Sequence, residues 1–185
     1  MINDYEAQNP ITEPDYATAH TPAETIDNDE VISTLNGLIE TCKDGQEGFQ
    51  EAAEGVESQN LKMFFYECSQ QRAEFTGELQ SLVRSLGGDP ETTSSFAGSL
   101  HRGWINIKSA VTGSDDAAIL NECERGEDSA KNNYKSALEE NLPANVAETV
   151  QKQYAAVQSV HDKVKALRDS ANNTETSSAA GGSLL

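Results

Sequence analysis

Bases are scarce in this chain. Thirteen Lys and Arg stand against 31 Asp and Glu, giving a formal net charge of −18. The first 30 residues hold eight acids and no Lys or Arg, which leaves 23 acids and 13 bases, or −10, for the remainder. A surface of that sign repels nucleic-acid phosphates and anionic lipid, so neither is expected as a partner. Long apolar runs are missing too. None approaches the ~18 residues of a membrane span, and no basic segment followed by an apolar one marks a secretory signal at the start. Cysteine is sparse. Cys42, Cys68 and Cys123 form no close pair, which argues against a CxxC site and a disulfide framework. An odd, scattered set of thiols on apolar helix stripes fits buried hydrophobes in a reducing, cytoplasmic compartment. Strand signals are lacking as well: no convincing alternating run occurs, and Pro numbers only 5. No Gly-x-Ser-x-Gly, P-loop or dinucleotide fingerprint is present.

What the chain does have is helical periodicity. Val31, Leu35, Leu38, Cys42, Gly45, Phe49, Ala52 and Val56 follow a 4-3-4-3 spacing, the stripe of a helix packed on other helices. Asp27 and Glu30 form a capping-box start. The acids Glu40, Asp44, Glu47, Glu51 and Glu54 are expected on the opposite, solvated face. Ser58 caps a second helix with Leu61, Phe64, Phe65, Cys68, Phe75, Leu79 and Val83 inward, ended by Gly87-Gly88 and Asp89-Pro90. A third runs from a Ser114 cap through Ile119, Leu120, Cys123, Ala130, Tyr134 and Leu138. A fourth follows Pro143 through Val146, Val150, Tyr154, Val157, Val160, Val164 and Leu167. Each long helix spans roughly 40 Å at 1.5 Å per residue, so the four match in length and pack side by side. Tight turns join the first pair and the last pair. The long connection between the pairs carries a short amphipathic segment with Leu100, Trp104, Ile107 and Val111 on one face. The expected fold is therefore all-α: two antiparallel hairpins and a long crossover, the connectivity of a ferritin-like four-helix bundle. Residues 1–26 read as a disordered acidic arm, 27–171 as the bundle, and 172–185 as a flexible C-terminal tail.

Six polar residues project inward on these helices: Gln46, Gln71, Arg72, Glu127, Gln153 and His161. Counting from the two turns places them near one level, a polar layer across the bundle. A di-iron centre in such a bundle requires Glu from two helices and Glu-x-x-His from the other two. The residues three before the histidines are Ala17, Gly98 and Gln158, so the motif is absent. Within the layer only Glu127 and His161 could ligate a metal, and Arg72 would repel one. Glu47, Glu67, Glu74 and Glu124 fall off the stripe and are expected in solvent. The layer is thus read as hydrogen-bonded core, with Arg72 pairing Glu127, and no catalytic residue is assigned.

The runs QRAEF, LGGDP, LHRGW and ERGED lie within about residues 29–170. Over that span the chain resembles a bacterial family of ferritin-like four-helix-bundle domains of unknown function. The resemblance implies a cytoplasmic protein often discussed with stress responses, and it implies no established reaction. The expected role is therefore structural or stress-associated interaction. A homo-oligomer is expected through the amphipathic crossover, and a metal-binding or di-iron oxidase is the alternative, with iron as its cofactor. The last residues, Gly182, Ser183, Leu184 and Leu185, resemble the Gly-Ser-Leu core of encapsulin cargo-targeting peptides, which makes a shell-cargo role a further alternative.

Overall fold

A computed structural model describes residues 27–91, 107–112 and 115–181, without the side chains of Ser109 and of residues 174–181. It is all-helical, with no strand among the described residues. The elements are α1 (Asn28–Gly55), α2 (Gln59–Ser85), α3 (Ile107–Thr112), α4 (Asp116–Glu139) and α5 (Ala144–Gly181).

Local chemistry sets the ends. Asp27 caps α1 by accepting from the Asp29 N–H at 2.9 Å, and Asp29 and Glu30 sit in the first turn where the helix dipole favours acids. Ser58 caps α2. At its other end Gly87 adopts φ 85°, its N–H bonds the Arg84 carbonyl, and Gly88 N–H bonds the Val83 carbonyl. This is a Schellman closure, which needs the left-handed residue that glycine supplies. The cap of α4 is Asp115, which accepts from Ala117 N–H, one residue beyond the expected Ser114; Asp is as good a cap as Ser and is better placed here. Pro143 precedes α5 and its carbonyl accepts from Ala147 N–H.

The helix directions follow from contacts along each pair. On α1 and α2, Ser69 bonds the Gln46 carbonyl and Gly88 lies against Ile32. On α4 and α5, Tyr134 bonds Gln153 and Arg168 reaches back to Glu124. On α1 and α4, Thr41 accepts from Asn133, while the Glu57 N–H just past α1 bonds Asp116. On α2 and α5, Lys152 pairs with Glu78 and Lys163 lies over Phe64. All four neighbouring pairs are antiparallel, so α1 runs parallel to α5 and α2 parallel to α4. The chain between α2 and α4 must therefore recross the full length of the helices.

Two apolar clusters fill the interior. One holds Leu35, Leu38, Cys42, Phe75, Leu79, Tyr134, Val150 and Val157, the other Phe49, Ala52, Phe65, Cys68, Ile119, Cys123, Val160 and Val164. They meet at the level of Gly45, Arg72 and Glu127. Of the crossover face, only Ile107 and Val111 are described. Ile107 is buried in the chain's own core and Val111 packs on α1 at Gly55; Leu100, Trp104 and residues 1–26 lie outside the described residues. At the far end α5 continues to Gly181, ten residues beyond the boundary expected at Ala171. Gly182 to Leu185 lie outside the described residues.

Candidate functional site

The polar centre begins with Arg72 on α2. Its neighbours Cys68 and Phe75 are both buried stripe positions, so the helix has no choice but to carry Arg72 inward. Arg72 is 1% exposed and Glu127, on α4, is 0% exposed. Arg72 Nη2 donates to Glu127 Oε2 at 2.7 Å and Nη1 to Gln71 Oε1 at 3.0 Å. The guanidinium lies 5.8 Å from the Phe49 ring centre and 5.6 Å from that of Phe75, within reach of both π faces. Gly45 of α1 faces the Arg72 stem, where a Cβ would stand in ordinary van der Waals contact with it. Burial raises the Glu127 carboxyl above its ordinary value, and Arg72 pulls it back only in part. Burial also opposes the Arg72 charge, but Glu127 beside it more than offsets this and raises its pKa. Among the described residues, Arg72 Nε and Glu127 Oε1 have no hydrogen-bond partner.

Gln153 is fully buried, as expected, but it serves a different network one turn away. Its Oε1 accepts from the Tyr134 hydroxyl at 2.7 Å, and its Nε2 donates to Glu78 at 2.8 Å. The Tyr134 proton is thus committed, so the Cys42 thiol donates to the Tyr134 oxygen across 3.0 Å. Burial pushes the Cys42 thiol up to about 11 and holds the Tyr134 phenol well above its usual range. Neither is a nucleophile or base near neutral pH. Gln46 departs further from expectation. It is only half-buried, and the contact across to α2 is made by its backbone carbonyl, accepting from Ser69 at 2.9 Å. Gly45, one residue earlier, is the α1 position that meets the layer.

His161 is buried, and its ring belongs to a separate cluster on the α4–α5 face. Its Nε2 lies 3.0 Å from Asp128 Oδ1 and its Nδ1 lies 2.9 Å from Asp162 Oδ1. Two acids expected in solvent are covered. Asp44 is 6% exposed because α1 packs against α2, α3 and α4 together, so more than one stripe is shielded. Glu124 is 8% exposed because Arg168 of α5 folds over it as an ion pair. Periodicity about a single face could not find either. An i, i+4 pair of acids at Glu124 and Asp128, beside a helix bearing an inward His, was the available signal.

A dinuclear iron centre does not fit the central residues. They offer one carboxylate, Glu127, and a buried guanidinium already occupies its Oε2. Glutamines supply the rest of the polarity, and a fixed cation at that position opposes two further dications. What the layer can do is specify register between α2 and α4: sliding one against the other by a turn would strand a buried charge.

No curated protein matches this chain. Residues 30–140 match the family described as a domain of unknown function, DUF2383, a span that covers α1 to α4 and carries Arg72 and Glu127. The chain therefore belongs to the DUF2383 family.

Proposed function

We propose that this chain is a ferritin-like bundle with a structural or stress-associated interaction role and no reaction centre in its core. The antiparallel pairs and the lengthwise crossover support the ferritin-like reading. The observation that carries the functional one is the Arg72–Glu127 pair, 2.7 Å apart at the level where a di-iron bundle would place its carboxylates. The test is anaerobic Fe²⁺ titration of the full chain followed by oxygen. The expected result is no uptake of two irons per chain and no oxidation faster than a buffer control. Two bound irons with turnover that Glu127→Gln abolishes would refute the proposal and establish the di-iron oxidase alternative.

The proposed partner is a second copy of the chain. The described crossover residues do not carry this, since Ile107 faces its own core. The exposed apolar side chains Met63 and Tyr66, one turn apart on α2, supply the contact. The shell-cargo reading rests on Gly182, Ser183, Leu184 and Leu185 alone, and is decided by whether deletion of residues 181–185 changes loading into a shell.

A further inference from the structure

We propose that Glu124, Asp128 and His161 form a mononuclear site for a first-row divalent cation on the α4–α5 face, apart from the bundle centre. One donor atom from each of the three lies within 4.8 Å of the others. Glu124 and Asp128 are one turn apart on α4, which puts both carboxylates on one face, and α5 brings His161 against them. An imidazole and two carboxylates make a mixed N,O set of the kind that binds Zn²⁺, Mn²⁺, Fe²⁺ or Co²⁺, with ligand distances of about 2.0–2.2 Å. Donor atoms around such an ion stand roughly 3–4 Å apart, and Asp128 Oδ1 already stands 3.0 Å from His161 Nε2. Its 58% exposure also opens the site to solvent, while Glu124 and His161 form a buried floor.

One further feature points to a ligand here. Asp162 engages Nδ1 of His161, which leaves Nε2 facing Asp128; a carboxylate behind an imidazole in this way fixes the tautomer and orients a metal-binding histidine. Two side-chain cations also face the site. Arg168 from α5 bonds Glu124 through Oε2, and Lys131 Nζ stands 3.4 Å from the His161 ring nitrogens and 4.0 Å from Asp128. Lys131 Nζ is equidistant from the two ring nitrogens, off the Nε2 lone-pair direction, and its charge beside Asp128 opposes an incoming cation.

The experiment is calorimetric titration of the chelator-stripped full chain with Zn²⁺ and with Mn²⁺, alongside NMR of the histidine ring protons. One ion per chain is expected, with the His161 signals alone displaced. Asp128→Asn, at an exposed position that the fold does not need, should weaken binding at least tenfold, and Asp162→Asn about tenfold through loss of orientation. Lys131→Gln should tighten binding about tenfold by removing a charge at close range. Glu127→Gln should retain one-site binding, which separates this site from any centre in the bundle core. Absence of saturable binding in the parent chain, or affinity unchanged by both Asp128→Asn and His161→Gln, overturns the proposal.

Discussion

Replacing Arg72 with Met leaves Glu127 in the core with no opposing charge. Glu127 is 0% exposed and its Oε2 then loses the 2.7 Å bond that Arg72 supplied. Breaking one side of a buried pair costs about 3–5 kcal/mol. For a domain of this size each kcal/mol lowers Tm by about 2–4 °C, so the loss should be on the order of 10 °C. Glu127→Leu should cost less than Arg72→Met, because Arg72 keeps Gln71 and the faces of Phe49 and Phe75. The double variant Arg72→Met with Glu127→Leu should recover most of the loss, since an apolar pair of similar volume carries no desolvation penalty. Urea unfolding followed by far-UV circular dichroism reads all four proteins, at constant m. The Arg72→Met variant should also gain stability relative to the parent as pH falls from 7 to 5. Without Arg72 the folded-state carboxyl of Glu127 rises further above its unfolded value, so its protonated form is favoured in the fold and stability is lost as pH rises through that range. The slope is at most about 1.4 kcal/mol per pH unit for one proton. Additive losses in the double variant, or an Arg72→Met penalty below about 1 kcal/mol that pH does not change, would refute the reasoning.

The thiols make a second expectation. Burial lifts Cys42 from the ordinary 9.0 to about 11 and Cys68 to about 12, and holds Cys123 well above the usual range. Because the folded values exceed the unfolded ones, this stabilisation is complete below pH 9 and, for Cys42 and Cys68, is lost as pH rises through 11 and 12, on the order of 3–4 kcal/mol each. Melting curves across that window should show the fall. At pH 8 a thiol-specific dye should label none of the three cysteines until denaturant is added, and prompt labelling of the native chain would contradict the burial. For self-association through α2, sedimentation should give a multimer that Met63→Lys with Tyr66→Lys converts to monomer. A monomeric parent at physiological concentration would end that proposal.

The stripe from Val31 to Val56 was legible because 3.6-residue periodicity is a local property, and all eight of its positions except Gly45 carry side chains that enter the two apolar clusters. The Arg72–Glu127 pair was legible too, since two inward charges of opposite sign on long helices have few other ways to be satisfied. Gln153 is inward as its position implies, yet it joins Tyr134 and Glu78 and not the Arg72 layer, because counting residues from a turn fixes level only to within about a helical turn of 5.4 Å. Tyr134 and Cys42 read only as hydrophobic stripe, because a hydroxyl or thiol on an apolar face gives no periodic sign of its hydrogen bond. The coverage of Glu124 and Asp44 depends on elements remote in sequence, Arg168 in one case and three packed helices in the other.

Sequence alone determined that the described residues are helical, where the caps of α1 and α2 and the turn closing α2 fall, and that the core would hold charge. Those features follow from spacing, capping residues and the few positions available to a buried charge. Tertiary structure decided the contents of each polar group. Only the antiparallel docking of α4 and α5 brings His161 to Glu124 and Asp128, and only the register of α1 against α2 puts Gly45 rather than Gln46 at the Arg72 stem. Rotation of one helix by a single residue, about 100°, separates those outcomes, and it is packing across the bundle that selects between them.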